Sequence, residues 1–177
     1  MTPVSDLTTL STGLLIERLV FGFLMMAHSS QKLLGWLGGY GIVGTAGFFE
    51  GLGFRPGRLF VMAASFSELF GGLLLALGFL GPVGPALMIS VMLVAVVAVH
   101  WNHGLLATGN GIELPLLYAT AALALALTGP GVYSLDAALG ISFSPGLSLA
   151  VVALGIIGGI GNLMLRKPVP AAQSPAA

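Results

Sequence analysis

Long apolar runs with almost no charge constrain the fold of this chain more than any other feature. Only 7% of its 177 residues are charged and 56% are hydrophobic, whereas a soluble domain carries about a quarter charged residues. A membrane-spanning helix needs about 20 mostly apolar residues. The sequence therefore predicts an all-α, polytopic membrane helical bundle. Five stretches qualify as spans, the fourth being the shortest: 11–34, 59–80, 83–99, 114–128 and 147–165.

The first apolar run does not have the pattern of a cleaved signal peptide. Residues 1–10 contain no Lys or Arg, and Glu17 and Arg18 interrupt the apolar run that follows, whereas a signal peptide has a basic beginning and an uninterrupted apolar segment. We therefore expect residues 1–10 to form an outer N-terminal segment and the first run to be a membrane helix.

The absence of cysteine limits the chemistry that the chain can perform by itself. With no Cys, structural disulfides, thiol redox chemistry, iron–sulfur clusters and thiolate zinc sites are excluded. No intrinsic cofactor is expected, and any redox role must use a cofactor that the chain binds or that a partner supplies.

The basic residues predict how the chain is oriented in the membrane. The formal net charge is zero, so nothing indicates nucleic acid as a partner. With five spans, the connection 35–58 and the region after the fifth span lie on the same side, which the positive-inside rule makes cytoplasmic. We therefore expect the N-terminus outside and the C-terminus in the cytoplasm. The basic residues that flank these two regions are Lys32, Arg55, Arg58, Arg166 and Lys167.

The connections between the spans are rich in glycine and proline. Within 35–58, residues 45–52 are mostly apolar and include Phe48 and Phe49, so this segment is either a short helix in the membrane interface or a solvated loop. The tail 168–177 consists of little besides Pro, Ala and Ser and is expected to be disordered.

Small residues four apart let helices approach closely. Gly72 with Ala76, and Gly155 with Gly159, have this spacing. It indicates either packing inside the bundle or a homodimer formed through the fifth span.

Arg18 and Glu68 are ionisable residues well inside the apolar runs. An ionisable side chain at the centre of a bilayer costs about 2.5–3.5 kcal/mol on insertion scales, so it usually faces another such group or a polar cavity. Arg18 is in the first span and Glu68 is in the second, which is antiparallel to it. Their depths are compatible with an Arg18–Glu68 ion pair. The pair would either fix helix register or form the catalytic site, where it binds a polar head group or relays a proton.

A second polar cluster is predicted at the cytoplasmic side. His28 and Lys32 end the first span, His100 ends the third, Asn102 follows it, and Glu113 opens the fourth. Because His titrates near neutral pH and Glu is an acceptor, this cluster is a proton entry point or a binding site for a quinone carbonyl. The alternative is an interfacial belt that contacts lipid head groups.

Metal-based alternatives use some of the same residues. A bis-histidine haem would require His28 and His100 on facing helices. A zinc site would combine His100, His103 and Glu113. The sequence favours neither alternative, and we predict no metal ligands.

Several motifs in order resemble the DoxX family of small bacterial membrane proteins. The resemblance covers residues 14–139, with Arg18, His28 and Lys32 preceding the motifs. In chain order, the motifs are SELFGG at 67–72, VHWNHG at 99–104, GIE at 111–113 and GPGVYSLD at 129–136. The chain departs from the family pattern at His103 and in its fifth span.

The resemblance implies a four-helix core over 11–139. The fifth apolar run lies outside that core, so 140–167 are expected to form a loop and an additional transmembrane helix. The resemblance also implies a bacterial cytoplasmic (inner) membrane location and a link to quinol oxidase or thiosulfate:quinone oxidoreductase systems. The leading hypothesis is a subunit that exchanges electrons or protons with quinone beside a soluble or membrane redox partner. The alternatives are a transporter or exporter of a small molecule, and a scaffold for membrane complexes.

Overall fold

The computed structural model describes residues 4–167, and all regular structure in that range is helical. The predicted disordered tail 168–177 lies outside the described residues. Short 3₁₀ turns connect some of the α-helices. The α-helices are α1 (Val4–Leu34), α2 (Gly41–Gly51), α3 (Gly57–Leu77), α4 (Val83–Ala95), α5 (Glu113–Thr128), α6 (Leu135–Leu139) and α7 (Pro145–Met164).

All five predicted spans are helical, and four of the helices are long and apolar enough to cross a membrane. These four are Asp6–Leu34, Gly57–Leu77, Val83–His103 and Pro145–Met164. The fourth predicted span, α5, has 16 residues, which at 1.5 Å per residue is about 24 Å. It is therefore shorter than a standard crossing. The helical bundle predicted from composition is confirmed, although α1 begins earlier than residue 11.

The five long helices run alternately in opposite directions and define two ends of the bundle. We call the end that holds α2 the α2 end and the opposite end, which holds α6, the α6 end. Helix α3 packs against α1 and α4, and α4 also packs against α5 and α7. The first turns of α1 lie at the α6 end and the last turn of α7 lies at the α2 end. The buried apolar core consists of Met25, Leu75, Met88, Ile89, Met92, Tyr118, Ala122, Leu125, Ala126 and Val152.

Helices α1 and α3 cross at close range. A Cβ atom added to Gly22 would meet the Gly72 carbonyl oxygen at 2.6 Å and the Ala76 Cβ atom at 2.9 Å. Further along, the Ser29 hydroxyl donates to the Ser65 carbonyl oxygen at 2.8 Å. These contacts fix the register of α1 against α3.

The small-residue pair of α7 is also used inside the chain. A Cβ atom on Gly155 would collide with the backbone of Ala86, and one on Gly159 would lie 3.0 Å from the Ser90 carbonyl oxygen. Both glycines therefore let α7 pack closely on α4, as predicted for internal packing.

Two local features shape the α2 end. The segment around Phe48 and Phe49 is a helix, α2, which confirms the short-helix alternative. Beyond Ala95, α4 continues as a π-helical segment, Val96–His100. Such segments are uncommon and occur often at functional sites.

Candidate functional site

A cavity of about 360 Å³ opens in the half of the bundle nearer the α2 end. Its walls come from α1, α2, α3, α4, α5 and α7. Most of the lining is apolar, with an aromatic wall formed by Phe48, Phe49, Phe54 and Phe60. The polar lining includes His28, Lys32, Glu68, His100 and Tyr118.

An ion pair lies in this cavity. The Lys32 ammonium on α1 lies 2.7 Å from each carboxylate oxygen of Glu68 on α3. The Glu68 side chain is only 4% exposed and the Lys32 side chain is 23% exposed. A carboxylate taken out of water at this depth needs a charged partner and hydrogen bonds, and Lys32 supplies both.

The predicted Arg18–Glu68 pair is wrong. Glu68 pairs with Lys32, while Arg18 is buried at the α6 end, where its Nη2 donates to the Tyr133 carbonyl oxygen. The close contact of Gly22 with Gly72 and Ala76 places Arg18 near Gly78 rather than beside Glu68. The depth argument from sequence was inaccurate because the register of two helices depends on such contacts.

The α6-end loop, residues 129–144, surrounds Arg18. Asp136 is buried in this loop, and its carboxylate accepts hydrogen bonds from the backbone N–H groups of Leu80 at 3.0 Å and Gly81 at 2.7 Å. Its negative charge also acts favourably on Arg18. Arg18 and Asp136 therefore lie at the α6 end, outside the cavity, and Asp136 connects the α6-end loop to the turn between α3 and α4.

Tyr118 is a cavity residue that the sequence reasoning missed. Its ring meets His28 edge-on at 6.1 Å between centroids and Phe21 at 5.2 Å. A phenol supplies a hydroxyl donor inside an otherwise apolar wall. The available signal was that Tyr118 is the single aromatic residue of α5.

The remaining predicted site residues divide into two groups. His28 and His100 line the cavity, and the His100 Nδ1 atom lies 2.7 Å from the Asn110 carbonyl oxygen. Asn102 is exposed and lies outside the lining. Glu113 also lies outside it, and its carboxylate accepts a hydrogen bond from the Ala107 N–H at 2.7 Å. Glu113 therefore fixes the loop before α5.

The zinc-site alternative finds no support in the geometry. Within residues 4–167, no three His, Asp or Glu side chains come together as a metal site would require. The Nδ1 atom of His103 lies 3.0 Å from the Val99 carbonyl oxygen, which positions this exposed ring within its own turn.

The fold and the cavity define a multi-pass helical membrane protein with an internal cavity lined mostly by aromatic and aliphatic side chains. The DoxX family model matches residues 13–101, which is half of the chain, and the protein belongs to the DoxX family. The match covers α1 to the end of the π-helical segment and leaves α5, α6 and α7 outside it. Comparison with curated proteins gave no match, and comparison with solved structures gave none.

Proposed function

We propose that this protein binds the head group of a quinone in the cavity and serves as a subunit of a quinone-linked oxidoreductase system of the bacterial cytoplasmic membrane. The observation that carries the proposal is the Lys32–Glu68 ion pair inside an aromatic cavity within the bundle. Buried ionisable groups in membrane helices mark substrate sites and proton relays.

The cavity fits a flat ring that carries hydrogen-bond acceptors. Its volume of about 360 Å³ is at the small end of the range for ligand pockets, roughly 300–1,000 Å³. Phe49, Phe54 and Phe60 form one connected aromatic group, with centroid distances of 5.8 Å and 5.2 Å between successive rings. Lys32 and Tyr118 are donors for a carbonyl oxygen. A bound quinone would supply two-electron redox chemistry that this cysteine-free chain does not have.

The protein's own residues would bind the ring and hold protons. Glu68 can accept a proton, and Lys32 balances the charge of its carboxylate. His28 and His100 line the cavity with Glu68 and lie toward the α2 end. We propose that these two imidazoles pass protons between Glu68 and water at that end. The electrons would come from or go to a soluble or membrane partner.

The test is the quinone content of protein purified from native membranes in mild detergent. We expect close to one quinone per wild-type protein and a large loss in Glu68→Gln. Tyr118→Phe removes only a hydroxyl and should cause a smaller loss. Asp6→Asn, an exposed carboxylate outside the cavity, is the matched control and should retain the wild-type content.

Absence of quinone from the wild-type protein would contradict the proposal. Accumulation of a small molecule by proteoliposomes that contain no electron donor would then support the transport alternative. Loss of membrane complexes in a deletion strain, without transport, would support the scaffold alternative.

A further inference from the structure

Asn162 is a polar residue of α7 that neither the sequence motifs nor the proposed function accounts for. It is half-buried in the last turns of this apolar helix and lines the cavity. Within the described part of the chain, residues 4–167, its side-chain amide makes no hydrogen bond with protein. Asn side chains in membrane helices usually hydrogen-bond across the bundle, because an unpaired amide is costly in an apolar environment.

The end of α7 is held in place at the cavity. The Arg166 Nε atom donates to the Leu52 carbonyl oxygen at 3.0 Å, and the Lys167 N–H donates to the Gly53 carbonyl oxygen at 2.8 Å. The Arg166 guanidinium also lies 5.6 Å from the ring centroid of Phe54, within the range of a cation–π contact. These contacts, made by the two residues that follow Leu165, hold the end of α7 against the segment 52–54, and Asn162, four residues before Arg166, lines the cavity.

Asn162 and Glu68 lie at different depths of the same cavity. Glu68 is near the middle of α3 (Gly57–Leu77), whereas Asn162 is two residues before the end of α7 at Met164. Hydrogen-bonding groups are thus present deep in the cavity and nearer its α2 end, and aromatic rings line the same cavity.

We propose that Asn162 is a ligand-binding residue that donates a hydrogen bond to a second oxygen on the ligand, and so selects rings with oxygens on opposite sides. The Lys32–Glu68 end of the cavity holds the first oxygen. This inference rests on the proposed quinone function and identifies the ligand class as a 1,4-dioxygenated ring. It also makes α7, which lies outside the matched family region, a part of the binding site.

The experiment measures binding of two probes that share one tetramethyl ring pattern to full-length protein in lipid nanodiscs. Duroquinone carries two ring oxygens and no position open to attack by Lys or His, and durene is the same tetramethyl ring without oxygens. Equilibrium dialysis against empty nanodiscs corrects for partition into lipid. The variants are Asn162→Leu, which removes the amide, and Asn162→Gln, which keeps it. Leu154→Ala, on an exposed position of α7, is the control for general effects on this helix.

We expect Asn162→Leu to bind duroquinone about three- to tenfold more weakly than wild type, the effect of one neutral hydrogen bond, and to bind durene equally well or better. Asn162→Gln should recover part of the affinity. A merely structural role would weaken both probes together and would overturn the inference.

Equal duroquinone affinity in wild type and Asn162→Leu would also overturn it while leaving the proposed function intact. Absence of duroquinone binding to the wild type would overturn both.

Discussion

The Lys32–Glu68 ion pair shows what individual residues contribute and how far sequence predicts it. Both residues could be selected as functional candidates because charges are rare in this chain. Their pairing could not be predicted, because Lys32 is at the end of α1 and its long side chain extends back toward the centre of the bundle. The Glu68 carboxylate is almost fully buried, so its negative charge depends on one cation, Lys32, for compensation.

Removing that cation should destabilise the fold. We expect Lys32→Met to lower the free energy of unfolding by about 3 kcal/mol, because it leaves the Glu68 carboxylate buried without its partner. The double variant Lys32→Met/Glu68→Leu should recover most of the loss. The measurement is equilibrium unfolding in mixed detergent micelles, with Arg58→Met, an exposed cation at the same end, as the control. A Lys32→Met protein as stable as wild type would show that the pair contributes little.

At the scale of helices, hydropathy predicts which segments are helical, and close contacts decide how they meet. The apolar runs of the sequence correctly predicted the five long helices. The contact between Gly22 and Gly72 could not be found from periodicity, because glycine is common in this chain. That contact determines which ionisable groups share a depth, and so it decides that Arg18 lies near the α6-end loop.

A methyl group at this contact should separate α1 from α3. Gly22→Ala places its Cβ atom against the Gly72 carbonyl oxygen and Ala76, and overpacking of this kind costs about 1–3 kcal/mol. Gly13→Ala is the matched control, since no atom lies within 4 Å of its added Cβ atom. Thermal unfolding in detergent should show a lower midpoint for Gly22→Ala alone. Equal midpoints for the two variants would contradict the close packing.

On the scale of the whole molecule, the two ends of the bundle differ in composition. Every Lys and Arg except Arg18 belongs to the α2 end, and the α6 end holds the loop that contains the buried Asp136. This asymmetry could be predicted, since the positions of Lys and Arg are read directly from the sequence. It did not predict the cavity, because six helices contribute to its walls and most lining residues are ordinary apolar ones.

The positive-inside rule predicts that the α2 end faces the cytoplasm. Because the chain has no Cys, single cysteines can test this directly. Leu37→Cys at the α2 end and Leu139→Cys at the α6 end both replace exposed side chains. On intact spheroplasts, a membrane-impermeant maleimide should label the second variant only, and both should react after lysis. Labelling of Leu37→Cys before lysis would reverse the orientation.

The π-helical segment Val96–His100 has a consequence for chain length. A π turn accommodates one residue more than an α-helical turn, so deletion of Val97 can be absorbed by reverting to regular α-helix. Because the π turn accommodates the extra residue, its removal leaves the residues on either side in register, and His100 would keep its place in the cavity wall. The same deletion in a regular α-helix would rotate everything beyond it by about 100° around the helix axis. A chain of 176 residues that lacks Val97 should therefore insert and fold as this one does, with the cavity wall unchanged beyond the deletion.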